Sequence, residues 1–227
     1  MFAIVTKYDK FPHSRRYRVE FLDPVCRISI GSKISRRRLE RLLKPFGGRV
    51  LFAENITPHR IKQFDTSALR RSVLFCQFYD RVMSKNGISL SVGVVDTAGD
   101  FLNRREMTEI IAHSASTTVF TFKNMDNKSH EWLLATGTCP EIVEKKTLLY
   151  ATDVTFAPEG LLGYEGELFG LGGNGIDREK LYIPDEVRQF LSDSFNQLDK
   201  VDLYCMLKNE GLGENVKSAT AMQKHAY

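Results

Sequence analysis

Four groups of residues have the types and spacing to do chemistry. Asp96 ends the apolar run SLSVGVVD, with Thr97, Ala98 and Gly99 behind it. A carboxylate at the end of a buried strand can face a ligand. Equally, Asp96 or Asp100 can cap the helix that follows. Cys139 stands before Pro140 in GTCPEIVEKK. Proline suits a first helical position, which would make Cys139 the N-cap. A helix N-terminus favours the thiolate, and its amides could steady an oxyanion. Cys139 is therefore a candidate nucleophile and Asp96 a candidate catalytic carboxylate, with His113 and His130 as available bases. The third group is the formal GxGxxG of residues 170–175, in which Gly170, Gly172 and Gly175 are candidate ligand-binding positions. Their amides would meet a pyrophosphate if a strand precedes them and a helix N-terminus follows. GYEGELF can supply the strand, but Pro184 stops the segment after the glycines from becoming a long helix. The fourth group is Arg36, Arg37, Arg38 and Arg41 in SKISRRRLERLLKPF, a candidate surface for an anion or a partner.

Several chemistries lack a required part. The Asp-x-x-Gly of residues 96–99 resembles the metal-side loop of P-loop GTPases, but the GxxxxGK[ST] phosphate cradle is absent from the sequence. The five histidines are scattered, with no HxH, HxxxH or HExxH, so no metal site is expected. There is no Gly-x-Ser-x-Gly elbow of an α/β-hydrolase. The four cysteines, Cys26, Cys76, Cys139 and Cys205, form no CxxC pair and read as separate reduced thiols. With no secretory pattern at the start, a cytoplasmic location is expected. No apolar run approaches the roughly 20 residues that span a bilayer, so no membrane partner is expected. No cofactor fingerprint is complete, and the cofactor stays unknown.

The net charge of +4 hides a division. Residues 1–90 carry 19 Lys and Arg against 7 Asp and Glu, and residues 91–227 carry 13 against 21. The halves are therefore +12 and −8, which recovers +4. Such a split points to an electrostatic partner or to head-to-tail association of copies. Nucleic acid is the less favoured partner without being removed. The pI of 8.8 is below the value of about 9 that marks a nucleic-acid footprint, and no aromatic residues interleave the basic run.

These groups must be held by elements that the periodicity outlines. AIVTK, YRVEFL and CRISI read as strands of an N-terminal antiparallel β extension, residues 1–31. From residue 32 strands and helices alternate. A helix at 33–45 carries Leu39, Leu42, Leu43 and Phe46 on one side, with Ser32 or Ser35 as N-cap, and stops at Gly47-Gly48. RVLFAE is a strand, 66–84 a helix, 89–96 a strand, 103–113 a helix and 117–122 a strand. Helices at 128–135 and 140–146 follow, then a strand at 147–156. A helix opens at Pro184, and VDLYCML reads as a last strand. The alternation predicts an open, mostly parallel, doubly wound α/β sheet over 32–207, with a polar tail at 208–227.

In such a sheet ligands settle outside the carboxyl ends of the strands. That rule selects the loops at Asn55–His59, Asp96–Asn103 and Lys123–Lys128. The expectation is a small anionic ligand, a nucleotide or a phosphorylated metabolite, held by Asn55, Asp96, Thr97 and Asn124. The 160–175 loop would fold over it, because seven of the chain's 16 glycines fall there among apolar side chains, a mixture that suits a mobile lid. Two alternatives remain at this stage. One is a non-catalytic interaction protein that uses the basic helix 33–45 and the glycine-rich arm 160–175, with a homo-oligomer among its assemblies. The other is an enzyme with Cys139 as nucleophile.

Overall fold

Phe2-Ala3-Ile4-Val5 is apolar at every position, the pattern of a strand covered on both faces rather than one exposed to water. In the computed structural model it is β1 (Phe2–Lys7), whose first five residues are buried. The structure describes all residues except 9, 12, 14, 15, 57–60, 62, 63, 85–89, 172, 174 and 213–227. Part of the Asn55–His59 loop, Gly172 and most of the expected tail therefore lie outside the described residues.

Along the chain follow β2 (Tyr17–Leu22), β3 (Val25–Ile30), α1 (Arg36–Leu43) and β4 (Val50–Phe52). Next come α2 (Ser67–Met83), β5 (Ser91–Val95), α3 (Arg105–His113), β6 (Ser116–Phe120) and α4 (Asp126–Thr136). The remainder is β7 (Glu141–Val143), β8 (Val154–Ala157), β9 (Glu167–Gly170), α5 (Asp185–Leu191) and α6 (Lys200–Asn209). Short 3-10 turns cover 44–46, 146–151 and 192–197. The helix stops have local causes. Gly47 ends the turn after α1 with φ +58°, and Gly137 ends α4 with φ +76°, both in the left-handed region that glycine enters freely.

The chain divides into two compact units, residues 1–70 with 178–227, and residues 71–177. The first is built on a mixed sheet of order β2-β3-β1-β4. β1 runs parallel to both β3 and β4, and only β2 is antiparallel, to β3. Leu39, Leu43 and Phe46 cover one face against Ala3, Val5, Ile28 and Val50. Val187, Leu191, Leu203 and Met206 cover the other against Phe2, Ile4, Val25 and Leu51.

The second unit holds five parallel strands in the order β7-β6-β5-β8-β9. Numbered within the unit, that is 3-2-1-4-5, the order of a doubly wound sheet with its switch point between β5 and β8. Phe75, Phe78, Met107, Ile110 and Trp132 pack one face onto Val92, Val94, Val154 and Phe156. Leu149 and Leu161 pack the other onto Val95, Phe120 and Ala157.

The mostly parallel open α/β class is therefore the observed one, but it is spread over two sheets. The expected break after residue 31 is crossed by strand pairing, because β1 offers its second edge to β4. The N-terminal strands are accordingly not an antiparallel extension throughout. Local misreadings also have physical causes. VDLYCML is not a strand but most of α6, whose start Asp199 caps by accepting from the amides of Val201 and Asp202. The predicted 140–146 helix contains β7 instead, since Glu141–Val143 pairs with the edge that β6 leaves open. The predicted 147–156 strand divides at Thr152. Its hydroxyl donates to the Leu149 carbonyl at 2.7 Å and closes the 3-10 turn before β8 begins. Lys208 and Asn209 belong to α6.

Candidate functional site

The carboxyl rim of the second unit contains three of the expected ligand residues. Asp96 follows β5, Thr97 opens the next turn, and Asn124 lies in the loop after β6. Asp96 is only 4% exposed. One carboxylate oxygen accepts from the amides of Gly99 at 3.0 Å and Asp100 at 3.2 Å. The other accepts from Phe101 at 2.7 Å and Leu102 at 2.9 Å. Four backbone N–H groups at the end of a strand make an anion nest of the kind that holds phosphate, and here the chain's own carboxylate fills it. The capping is of the 99–102 turn rather than of α3, whose N-cap is Arg104. Gly99 has φ +78°, and a Cβ there would stand 3.1 Å from Lys123 Cγ, so the two loops touch. Thr97 is half-buried and Asn124 exposed. The Asn124 Oδ1 accepts from the Asp126 amide at 2.9 Å, a local turn at the start of α4.

The glycine-rich segment comprises the crossover from β8 to β9, β9 itself and the turn that follows it. Gly170 ends β9, where any Cβ would strike the Ala157 carbonyl, so glycine there permits close strand pairing. Gly175 is exposed with nothing near its Cβ position. No helix follows until Asp185, so the fingerprint lacks the helix N-terminus that pyrophosphate binding needs. Tyr164 holds the segment across the sheet by donating to the Thr152 carbonyl at 2.7 Å. Leu162 and Leu171 are nevertheless 92% and 72% exposed.

Cys139 is exposed, and its Sγ lies 3.6 Å from the Pro140 carbonyl oxygen. Pro140 leads into β7 and not into a helix, so the amides expected to favour the thiolate are not behind it. The residue sits at the amino end of the sheet, the end opposite Asp96.

The carboxyl rim of the first unit is different. A cavity of ≈ 340 Å³ opens where β1, β3 and β4 end and α1 begins. Lys7, Ser32, Arg36 and Asn55 supply its polar edge, and Ile30, Ile34, Phe52 and Ile56 its apolar wall. This brings together Asn55 and Arg36, which the sequence placed in separate sites, and it separates Asn55 from Asp96, Thr97 and Asn124, which belong to the other unit. Arg36 Nε donates to Glu40 at 2.6 Å within α1. Asn55 donates to Gln197 at a long 3.3 Å. Lys7 has no carboxylate within ion-pair distance among the described residues. The Ser35 side chain makes no capping hydrogen bond, which leaves the Arg36 and Arg37 amides uncapped at the cavity. Arg38 lies over the Tyr17 ring at 4.7 Å. Arg37 and Arg41 are exposed. The charge division follows the units: the first has 23 Lys and Arg against 14 Asp and Glu, a net of +9, and the second has 9 against 14, a net of −5.

No family model matches the sequence, and no curated protein matches it. Among solved structures, L-tryptophan dehydrogenase from Nostoc punctiforme is similar over 88% of this chain and 74% of that one. The identity is 15% and the TM-score 0.32, a likeness too loose to bear on function.

Lys7 and Ser32 were missed by reading the sequence. The signal lies in FAIVTK, whose apolar run Phe2–Val5 ends two residues before a cation, but the carboxyl-end rule reaches Lys7 only once β1 is known to be parallel to β3 and β4. Elsewhere, burial pushes the Cys26 and Cys205 thiols up to about 11. A hydrogen bond to Glu109, reinforced by burial, raises Tyr79 to about 12. Among the described residues no helix is long and apolar enough to cross a membrane.

Proposed function

We propose that the protein binds a small anionic ligand with an apolar or planar body, of the nucleotide or phosphorylated-metabolite class, at the carboxyl rim of its first unit. One observation carries the reading: a single cavity gathers Lys7, Arg36 and the uncapped start of α1 at the ends of three parallel strands. Two cations and free amides suit an anionic group. Ile30, Ile34, Phe52 and Ile56 suit the less polar remainder, and the cavity volume lies at the lower end of the range for small-molecule sites. The net +9 of this unit would draw anions toward it.

The test is a thermal-shift panel of nucleotides, phosphosugars and dinucleotides, followed by titration calorimetry on any hit. A true ligand at about 100 times its Kd stabilises by about 2.7 kcal/mol. Arg36→Gln and Lys7→Gln should each weaken it about tenfold, the scale of one charge-assisted hydrogen bond. A silent panel, or a hit indifferent to both substitutions, overturns the reading.

A further inference from the structure

We infer that the opposite face of the same rim carries a second anion site, shaped for a tetrahedral dianion such as a phosphomonoester. It goes beyond the reading above, since it uses a separate cavity that, among the described residues, shares only Lys7 with the first. Side chains alternate along β3. Ile28 and Ile30 face α1, whereas Arg27 and Ser29 face the α5 side. There a cavity of ≈ 350 Å³ is bordered by Lys7, Lys10, Arg18, Arg27, Ser29 and Ser192.

The charge arithmetic favours a dianion. Among the described residues, four cations line the cavity against two carboxylates, Glu20 and Asp193, for a net of +2. Glu20 is moreover divided, 2.9 Å from Arg18 and 2.5 Å from Arg27. Lys10 has no ion-pair partner among the described residues. A phosphate dianion would therefore meet positive charge in excess of the described carboxylates.

The cavity is also pre-organised. Arg27 gives two hydrogen bonds to Glu20 and a third, at 3.1 Å, to the Leu191 carbonyl. The Phe190 ring packs beneath its guanidinium at 5.0 Å. Three of its five N–H groups are thus committed and two are free, in a fork whose plane is fixed. Hydroxyls of Ser29, Ser192 and Ser194 add neutral donors. Ser29 Oγ is itself held 3.3 Å from Thr6 Oγ1 in the floor. Ser192 has φ +49°, alone among the described non-glycine residues in having a positive φ. Backbone strain of that kind collects where a side chain must be aimed at a ligand.

The probe is inorganic phosphate, followed by ³¹P NMR and calorimetry on the full chain. Lys10→Gln with Arg18→Gln should weaken phosphate at least tenfold. Both side chains are exposed, so the fold survives their loss, and a circular-dichroism melt checks it. Lys145→Gln, an exposed cation of the second unit, should leave phosphate binding unchanged. The inference fails if wild-type protein shows no saturable phosphate binding, if the double variant binds as tightly as wild type, or if Lys145→Gln abolishes binding. A silent nucleotide panel alongside phosphate binding that needs Lys10 and Arg18 would remove the proposed function and leave this site standing.

Discussion

At the carboxyl rim of the second sheet the amides of Gly99, Asp100, Phe101 and Leu102 converge on one carboxylate, and that carboxylate is Asp96. At the rim of the first sheet the corresponding resources are left open: Ser35 does not cap α1, and Lys7 and Lys10 face cavities without an ion-pair partner among the described residues. Parallel strands end at both rims, so the topology alone does not separate them. What separates them is whether the sequence supplies its own anion. The second unit, net −5, does so with Asp96, whereas in the first, net +9, Lys7 and Lys10 meet no carboxylate at ion-pair distance among the described residues. A motif can therefore mislead. The Asp-x-x-Gly that looks most like a ligand loop is closed on itself, and the less conspicuous Lys7 borders both open cavities.

The largest expected effect comes from opening the closed rim. Asp96→Ala strands four amides in a buried turn. Charge-assisted hydrogen bonds contribute about 1.5–3 kcal/mol each, but water can enter the vacated space, so a total loss of about 3 kcal/mol is expected in urea unfolding. Asp96→Asn keeps one acceptor oxygen and should lose less. Added phosphate should restore part of the Asp96→Ala loss by occupying the emptied nest, and should do little for wild-type residues at this rim. A loss below about 0.5 kcal/mol, the scale of an ordinary surface change, would break the comparison.

Why the sequence told so little of this follows from the same residues. Periodicity exposes which residues face a core, and it placed most helices and strands correctly, including 66–84 against the observed α2 at Ser67–Met83. It carries no information about which strands become neighbours. RVLFAE reads identically whether β4 joins β1 or β5, and the pairing of Ala3 with Val50 is a long-range choice. The rim residues inherit that ambiguity. Asn55 and Arg36 were each legible as polar groups at element ends, but their common cavity depends on β1, β3 and β4 lying side by side. Asp96 was legible as a strand-end carboxylate. Its orientation, toward its own loop rather than outward, is set by φ +78° at Gly99 and the turn that follows.

The first unit also contains an acid held by amides, and it sharpens the contrast at a smaller scale. Burial is the strongest single influence on Asp199 and would raise its pKa. The amides of Asp202 and Val201 together with Arg70 outweigh it and hold the group below its ordinary 3.8. A carboxyl lowered on folding stabilises above its unfolded value and loses that contribution as pH falls through the folded value. Asp199→Ala should therefore cost about 1 kcal/mol at neutral pH, mostly from the lost cap because the group is part-exposed and its ion pairs are screened. The gap between variant and wild type should close below pH 3.8 as the wild-type acid protonates. A gap independent of pH would mean that packing, and not the ionised cap, is what Asp199 contributes.

The smallest effect belongs to Cys139. It precedes β7, so it stands at the amino end of the second sheet, away from the Asp96 turn. Cys26 and Cys205 are buried, with thiols pushed up to about 11. Alkylation of native protein by iodoacetamide should accordingly label Cys139 well before either, for reasons of access. No helix start backs it, so neither His113→Ala nor His130→Ala should change its rate of labelling. Cys139→Ser should shift stability by no more than about 0.5 kcal/mol and leave binding at the first rim intact. Labelling slowed by His113→Ala or His130→Ala would show an activated nucleophile in the second unit. The two units would then differ by having chemistry at opposite ends of their sheets, not by one rim being open and the other closed.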